Sequence, residues 1–137
     1  MKDIAELKAT YGHEIEQAAF KHGLEPSILA GLIWVESKGN PQAVSHCGAK
    51  GLCQFMPATA IDVGLKNPFD PKESIYAGAM YLAKIRDRWA HGSIILALAG
   101  YNAGPGRIKG NRWKRFKETV AYVPNILRWA AQYRRLS

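Results

Sequence analysis

A run of apolar residues that ends at an acid most constrains what this chain can fold into. Residues 28–35 read ILAGLIWV, and Glu36 follows them directly. A helix that is apolar on every side has to be buried, so this segment predicts the core of a helical domain. Burial disfavours a carboxylate and raises its pKa, which suits a general acid at neutral pH. The simpler interpretation is a Glu at a helix end that reaches solvent.

The other apolar patterns predict a mainly α-helical single domain spanning residues 1–137. Apolar residues three or four apart predict helices over residues 3–22 and 72–91. A stretch that is apolar nearly all round predicts a buried central helix over residues 93–102. A last helix is predicted over residues 118–135. We therefore expect a helical bundle around a buried central helix.

The segment over residues 43–55 is too rich in turn residues for a helix and predicts a short β-hairpin or an irregular loop. It contains both cysteines of the chain, Cys47 and Cys53. A disulfide is geometrically reasonable if the two face each other across a hairpin. Two free thiols are favoured because no signal peptide is visible. His46 and the two cysteines lack the paired ligand spacing of metal sites, so we expect no metal and no cofactor.

The chain is strongly basic, with nineteen Lys and Arg, eleven Asp and Glu, and a net charge of +8. This balance favours a polyanionic partner, such as an anionic cell envelope or nucleic acid. Residues 112–116, RWKRF, interleave cations with aromatic rings in the way that single-strand nucleic-acid sites do. The simpler interpretation of the basic residues is a solvated surface.

The sequence has no apolar run long enough to span a bilayer. Its first residues lead into an amphipathic pattern and not into the apolar segment of a signal peptide. We therefore expect that the chain is made without a leader or that a leader was removed. A small domain without a visible leader fits a phage lysis or virion protein somewhat better. We expect a monomer.

Four short motifs follow one another along the chain. They are Glu-Ser at 36–37, Gly-Leu-Cys-Gln at 51–54, Gly-Tyr-Asn-Ala-Gly at 100–104 and Glu-Thr-Val-Ala-Tyr-Val at 118–123. Their order and spacing resemble the catalytic domain of the soluble lytic transglycosylase family, which is related in fold to goose-type lysozyme. The resemblance covers about residues 25–127. It implies an α+β lysozyme-like fold with the short hairpin beside an active-site cleft.

Two positions depart from the pattern of that family. Cys53 stands where Met is usual, and Gly100 stands where Ala is usual. Neither change removes a group that transfers a proton. Cys53 does bear on the local shape of the sugar cleft.

Cleavage of a glycosidic bond needs an acid for the leaving oxygen and usually a second carboxylate. Of the eleven carboxylates, only Glu36 has such an apolar context, and Glu118 is expected to be a structural first-turn residue. The resemblance implies a one-acid site on peptidoglycan at the bacterial cell wall, in the periplasm or outside the cell. There Glu36 protonates the leaving sugar and then removes a proton from the C6 hydroxyl of N-acetylmuramic acid, which leaves a 1,6-anhydro product.

The resemblance also implies roles for five further residues. Tyr122 is expected to hydrogen-bond the catalytic carboxyl, and Ser37, Gln54, Tyr101 and Asn102 are expected to hold the sugars. Each has a simpler alternative: a core position for the two tyrosines, a bond to the helix backbone for the serine, and a loop or turn bond for the two amides.

Two alternatives for the function stay open. One is a goose-type hydrolase, in which water replaces the C6 hydroxyl. The other is a catalytically silent module that binds glycan or nucleic acid. Nucleic-acid binding does not explain the four motifs, so no nucleic-acid partner is expected.

Overall fold

The computed structural model describes residues 1–136, which are mainly α-helical as predicted. The helices are α1 (Ile4–His22), α2 (Pro26–Ser37), α3 (Pro57–Asp62), α4 (Pro71–Arg88), α5 (Ile94–Ala103) and α6 (Lys117–Arg134). Two short 3-10 helices, Pro105–Arg107 and Lys109–Arg115, connect α5 to α6. Within the described residues, no helix combines the length and apolar character needed to cross a bilayer.

Local chemistry fixes the ends of the long helices. Asp3 caps α1 because its side chain accepts a hydrogen bond from the backbone amide of Glu6. Gly23 ends the same helix in the left-handed region, at φ 67°. Asp70 caps α4 by accepting from the backbone amide of Glu73. An Asp before the first helical residue and a Gly after the last one are residue types that favour these backbone positions.

The central helix of the fold is α2, in which every residue over 27–34 is buried. Helix α6 packs directly along it. A Cβ atom at Gly31 would lie only 2.7 Å from the carbonyl oxygen of Ile126, so glycine permits this close approach. The helix predicted to be central, over residues 93–102, is less enclosed: α5 buries residues 97–100 and leaves Ile95 40% exposed. Its apolar first turn lies at the periphery of the bundle.

Of the two alternatives expected for residues 43–55, the structure has the irregular loop, and the short β-hairpin expected beside the cleft is not formed. The segment is irregular and contains single-residue antiparallel bridges, Val44 with Lys50 and Lys50 with Phe55. Three residues with positive φ turn the backbone sharply here, Gly48 at 92°, Gly51 at 82° and Gln54 at 53°. Because these turns come three residues apart, Lys50 pairs on both sides and neither pairing extends into a strand.

Candidate active site

A cleft of about 620 Å³ lies at the C-terminal end of α2. Its walls come from α2, from the irregular loop, from the end of α5 and from the first half of α6, which are the segments that carry the four motifs. The cleft is lined by Val35, Glu36, Ser45, His46, Cys47, Ala49, Gln54, Met56, Tyr101, Asn102, Glu118, Ala121, Tyr122 and Asn125. The fold thus brings together all of the predicted site residues except Ser37.

Glu36 is partly buried at the end of the buried helix. Burial raises the pKa of its carboxyl from an ordinary 4.5 to about 7. The hydrogen bond from Tyr122 opposes this increase, and the negative charge of Glu118 adds to it. A carboxyl with a pKa near 7 is well matched to giving and accepting a proton at neutral pH.

The partner of this carboxyl is Tyr122, which is buried in α6. Its hydroxyl donates a hydrogen bond to Oε2 of Glu36 over 2.7 Å. Burial and the neighbouring negative charge hold the pKa of Tyr122 well above its usual value, so the hydroxyl remains a donor. The contact that the family resemblance implies is therefore present between these two side chains.

Both the nitrogen and the oxygen of the Asn102 side-chain amide form hydrogen bonds within the protein. Its Nδ2 donates to Oε2 of Glu118 over 2.9 Å, and the hydroxyl of Thr119 donates to its Oδ1 over 2.6 Å. The buried Thr119 anchors this arrangement, whereas Glu118 is exposed at the cleft. Glu118 thus lines the cleft as well as occupying the first turn of α6. Glu118 lies four residues before Tyr122, so both side chains are on one face of the helix. This spacing could have indicated from the sequence that Glu118 lines the cleft.

Tyr101 braces the irregular loop against α5. Its hydroxyl donates to the backbone carbonyl of Cys53 over 2.8 Å. Its ring lies 5.4 Å from that of Tyr81 and 6.3 Å from that of Phe55, measured between centroids. These three aromatic residues also line a smaller recess of about 260 Å³ that adjoins the cleft. Tyr101 therefore combines a structural position with a place on the cleft wall.

The unusual Cys53 does not line the cleft, because its side chain is fully buried. It fills the space beside Gly78, where a Cβ atom would lie 2.5 Å from its Sγ. Both cysteines are free thiols, in agreement with the favoured interpretation, and Cys47 is exposed on the cleft wall. Within residues 1–136, no three His, Cys, Asp or Glu side chains converge as ligands for a metal ion.

Two predicted sugar-binding side chains are used by the fold itself. The Ser37 hydroxyl donates to the backbone carbonyl of Ile33 over 3.1 Å and lies outside the cleft lining. The amide nitrogen of Gln54 donates to the carbonyls of Gly51 and Ala43 over 2.9 and 3.2 Å. Gln54 still lines the cleft, and its Oε1 remains as the group that can accept a bond from a ligand. Asn125 and His46 line the cleft too, and no motif indicated them.

The transglycosylase SLT domain family matches residues 13–122 of this chain. The chain is 36% identical over 128 residues to membrane-bound lytic murein transglycosylase F of Desulfosudis oleivorans, covering 81% of this chain and 28% of that protein. It is 38% identical over 114 residues to the transglycosylase of Enterobacteria phage PRD1, covering 82% of this chain and 42% of that protein. The chain thus spans less than half the length of these relatives.

The fold is similar to the crystal structure of the 70 kDa soluble lytic transglycosylase of Escherichia coli. The TM-score is 0.83 at 30% sequence identity, and the match covers 90% of this chain and 24% of that chain. The complex of the 70 kDa enzyme with bulgecin A also matches with a TM-score of 0.83. This likeness confirms the expected lysozyme-like architecture. With the match over residues 13–122, it follows that the chain belongs to the transglycosylase SLT domain family.

Proposed function

We propose that this domain is a peptidoglycan lytic transglycosylase. It would cleave the β-1,4 bond between N-acetylmuramic acid and N-acetylglucosamine and leave a 1,6-anhydro end on the muramic acid. The observation that carries the proposal is the partly buried Glu36 carboxyl, held by Tyr122 over 2.7 Å inside the cleft. Family membership and the names of the relatives support the same activity.

In the first step, the protonated Glu36 gives its proton to the glycosidic oxygen. The bond from that oxygen to C1 of the muramic acid breaks, and the leaving sugar keeps the proton. The 2-acetamido oxygen of the substrate stabilises the positive charge that develops at C1, as in the substrate-assisted glycosidases. Tyr122 donates its hydrogen bond to the carboxylate that Glu36 has become.

In the second step, the Glu36 carboxylate takes the proton of the C6 hydroxyl. The C6 oxygen then forms a bond to C1, which closes the 1,6-anhydro ring and restores the acid. No water is consumed, and one group serves as acid and then as base. A pKa of about 7 supports both roles, because the protonated and ionised forms are both accessible near neutrality.

The polar groups around Glu36 suit a sugar with acetamido and hydroxyl groups. The Oε1 atom of Gln54 can accept a hydrogen bond, and Glu118 offers a second acceptor beside Asn102. The aromatic recess shares Gln54, Met56, Tyr101 and Asn102 with the cleft, so the two form a continuous groove for neighbouring sugars. We place this activity at the bacterial cell wall, where the basic surface would favour an anionic envelope.

The direct test is Glu36→Gln, which keeps the shape of the side chain and removes the acid. We expect clearing of purified cell walls to slow by ~10²–10⁴-fold, the usual contribution of a positioned proton donor. Glu73→Gln, on the exposed surface of α4, is the matched control and should clear walls like the wild type. Clearing at the wild-type rate by a folded Glu36→Gln protein would contradict the proposal.

A further inference from the structure

A third cavity, of about 390 Å³, adjoins the cleft at the junction of α2 and α6. It is lined by Trp34, Val35, Lys38, Asn125, Arg128 and Trp129. The third cavity shares Val35 and Asn125 with the cleft. The aromatic recess shares a different set of residues with the cleft. The catalytic cleft therefore lies between the recess and this third cavity, and a bound strand can pass through all three.

Two tryptophans, Trp34 and Trp129, form walls of the third cavity. Trp34 is only 6% exposed, and its ring centroid lies 5.7 Å from that of Trp129 with the planes tilted by 58°. A sugar that stacks on an indole needs an open ring face, which Trp34 does not offer. Trp34 therefore offers no stacking surface and Trp129 is only partly exposed, so we identify the ligand of the cavity from its charge.

The charge of the cavity is entirely positive. Lys38 and Arg128 are both exposed and line it, and no Asp or Glu does so. Neither cation forms a salt bridge with an acidic side chain within residues 1–136. Arg128 donates one hydrogen bond to the side-chain oxygen of Asn125, which holds the guanidinium beside the opening to the cleft. The site therefore presents two cations, without acidic partners, to an anion that comes along the groove.

We propose that this cavity binds a carboxylate of the peptide attached to a muramic acid in the bound strand. The inference rests on the proposed function, because cleavage at Glu36 fixes where the strand lies. The backbone sugars of peptidoglycan are neutral, and the carboxylates reside on the attached peptides. An arginine fork matches the geometry of a carboxylate, and Lys38 adds a second positive charge. The cavity thus selects strands that still carry charged peptides.

The test compares two forms of one ligand: soluble glycan strands that carry peptides, and the same strands with the peptide carboxyls converted to amides. Binding is measured on the Glu36→Gln protein, so that turnover does not interfere. We expect amidation to weaken binding by about three- to tenfold, the range for two exposed charge contacts. The difference should shrink as the salt concentration rises.

Adding Lys38→Gln and Arg128→Gln to this protein should abolish the difference between the two strand forms. The matched control adds Lys72→Gln and Arg88→Gln, which remove the same charge from the exposed surface of α4 and should preserve the difference. The proposal is overturned if the control loses the difference as well, or if the Lys38 and Arg128 changes leave it intact.

The outcome separates this inference from the proposed activity. If the Glu36→Gln protein binds the two strand forms differently but the wild type cleaves neither form, the carboxylate site is retained and the proposed activity is refuted. Cleavage to 1,6-anhydro products without any discrimination would retain the activity and refute the carboxylate site.

Discussion

The hydroxyl of Tyr122 donates a 2.7 Å hydrogen bond to Oε2 of Glu36, although 86 residues separate them along the chain. The contact exists because α6 lies directly against α2, which carries the acid. Gly31 permits this approach in the same helix, ahead of Glu36, since any larger side chain would meet the backbone of α6. The protonation of Glu36 is therefore linked to the packing of α2 against α6.

Tyr122→Phe should raise the pKa of Glu36 further, because the lost hydrogen bond stabilises the charged carboxylate. The alkaline limb of the pH–rate profile then moves to higher pH. Turnover should fall by roughly tenfold or more, since the acid is no longer held in place. Stability should fall by about 1 kcal/mol.

Tyr133→Phe is the matched control for this change. It lies on the same helix, and its buried hydroxyl has no hydrogen-bond partner within residues 1–136. Its removal should leave the pH–rate profile unchanged. If Tyr122→Phe also leaves both rate and profile unchanged, Tyr122 only fills space.

Glu118→Gln should shift the same profile in the opposite direction. The negative charge of Glu118 raises the pKa of Glu36, so its removal lowers that pKa and moves the alkaline limb to lower pH. The amide oxygen of Gln can still accept the hydrogen bond from Asn102, so the local geometry is kept. A pH–rate profile measured at low salt is the appropriate test, because salt screens exposed charges. A shift to higher pH would show that the two carboxyls are not coupled in this way.

Gly31→Ala should separate α2 from α6 and weaken both stability and activity. The added Cβ atom would meet a backbone oxygen 2.7 Å away, which cannot give way like a side chain. We expect a loss of about 1–3 kcal/mol in unfolding free energy, as for other overpacked sites. Gly12→Ala is the control in α1, where the nearest atom is a flexible Lys8 carbon at 3.3 Å. It should be neutral or stabilising, because alanine favours helix.

Glu36→Gln should stabilise the protein increasingly as the pH rises from about 4.5 to 7. Below 4.5, Glu36 is protonated in both the native and the unfolded state. Between 4.5 and 7 the native state keeps a proton that the unfolded state has lost, so wild-type stability falls as pH increases. The amide variant avoids this loss, which amounts to up to about 3 kcal/mol above pH 7. Chemical denaturation of both proteins at pH 4.5 and pH 8 measures the difference, and an equal effect at both values would contradict the raised pKa.

The parts of the fold that depend on local chemistry were predictable from the sequence. The stop at Gly23 and the cap at Asp70 follow from residue types that favour those backbone positions. Burial of the apolar helix before Glu36 follows from its lack of a polar face. The resemblance of the four motifs to the lytic transglycosylase family also implied that Tyr122 would meet Glu36.

The parts that depend on distant contacts were not predictable. The sequence left open whether residues 43–55 form a short hairpin or an irregular loop, because contacts with distant residues bear on their course. One such contact is that of Gly51 with Pro68, where a Cβ atom would lie 1.9 Å from a carbonyl oxygen. Similarly, α5 is less enclosed than its apolar sequence predicts, because its first turn lies at the surface, where Ile95 is 40% exposed. For Ser37 the sequence left a sugar contact and a bond to its own helix open, and the structure has its hydroxyl bonded to Ile33, with the residue outside the cleft lining.

The mass of the products released from purified peptidoglycan tests the central claim most directly. Transfer to the C6 hydroxyl consumes no water, so the account predicts muropeptides that end in 1,6-anhydro sugars and are lighter by one water than hydrolysis products. These products should be absent when Glu36→Gln replaces the wild type. Reducing ends on essentially all released chains would contradict the account, because water and not the C6 hydroxyl would then be the acceptor.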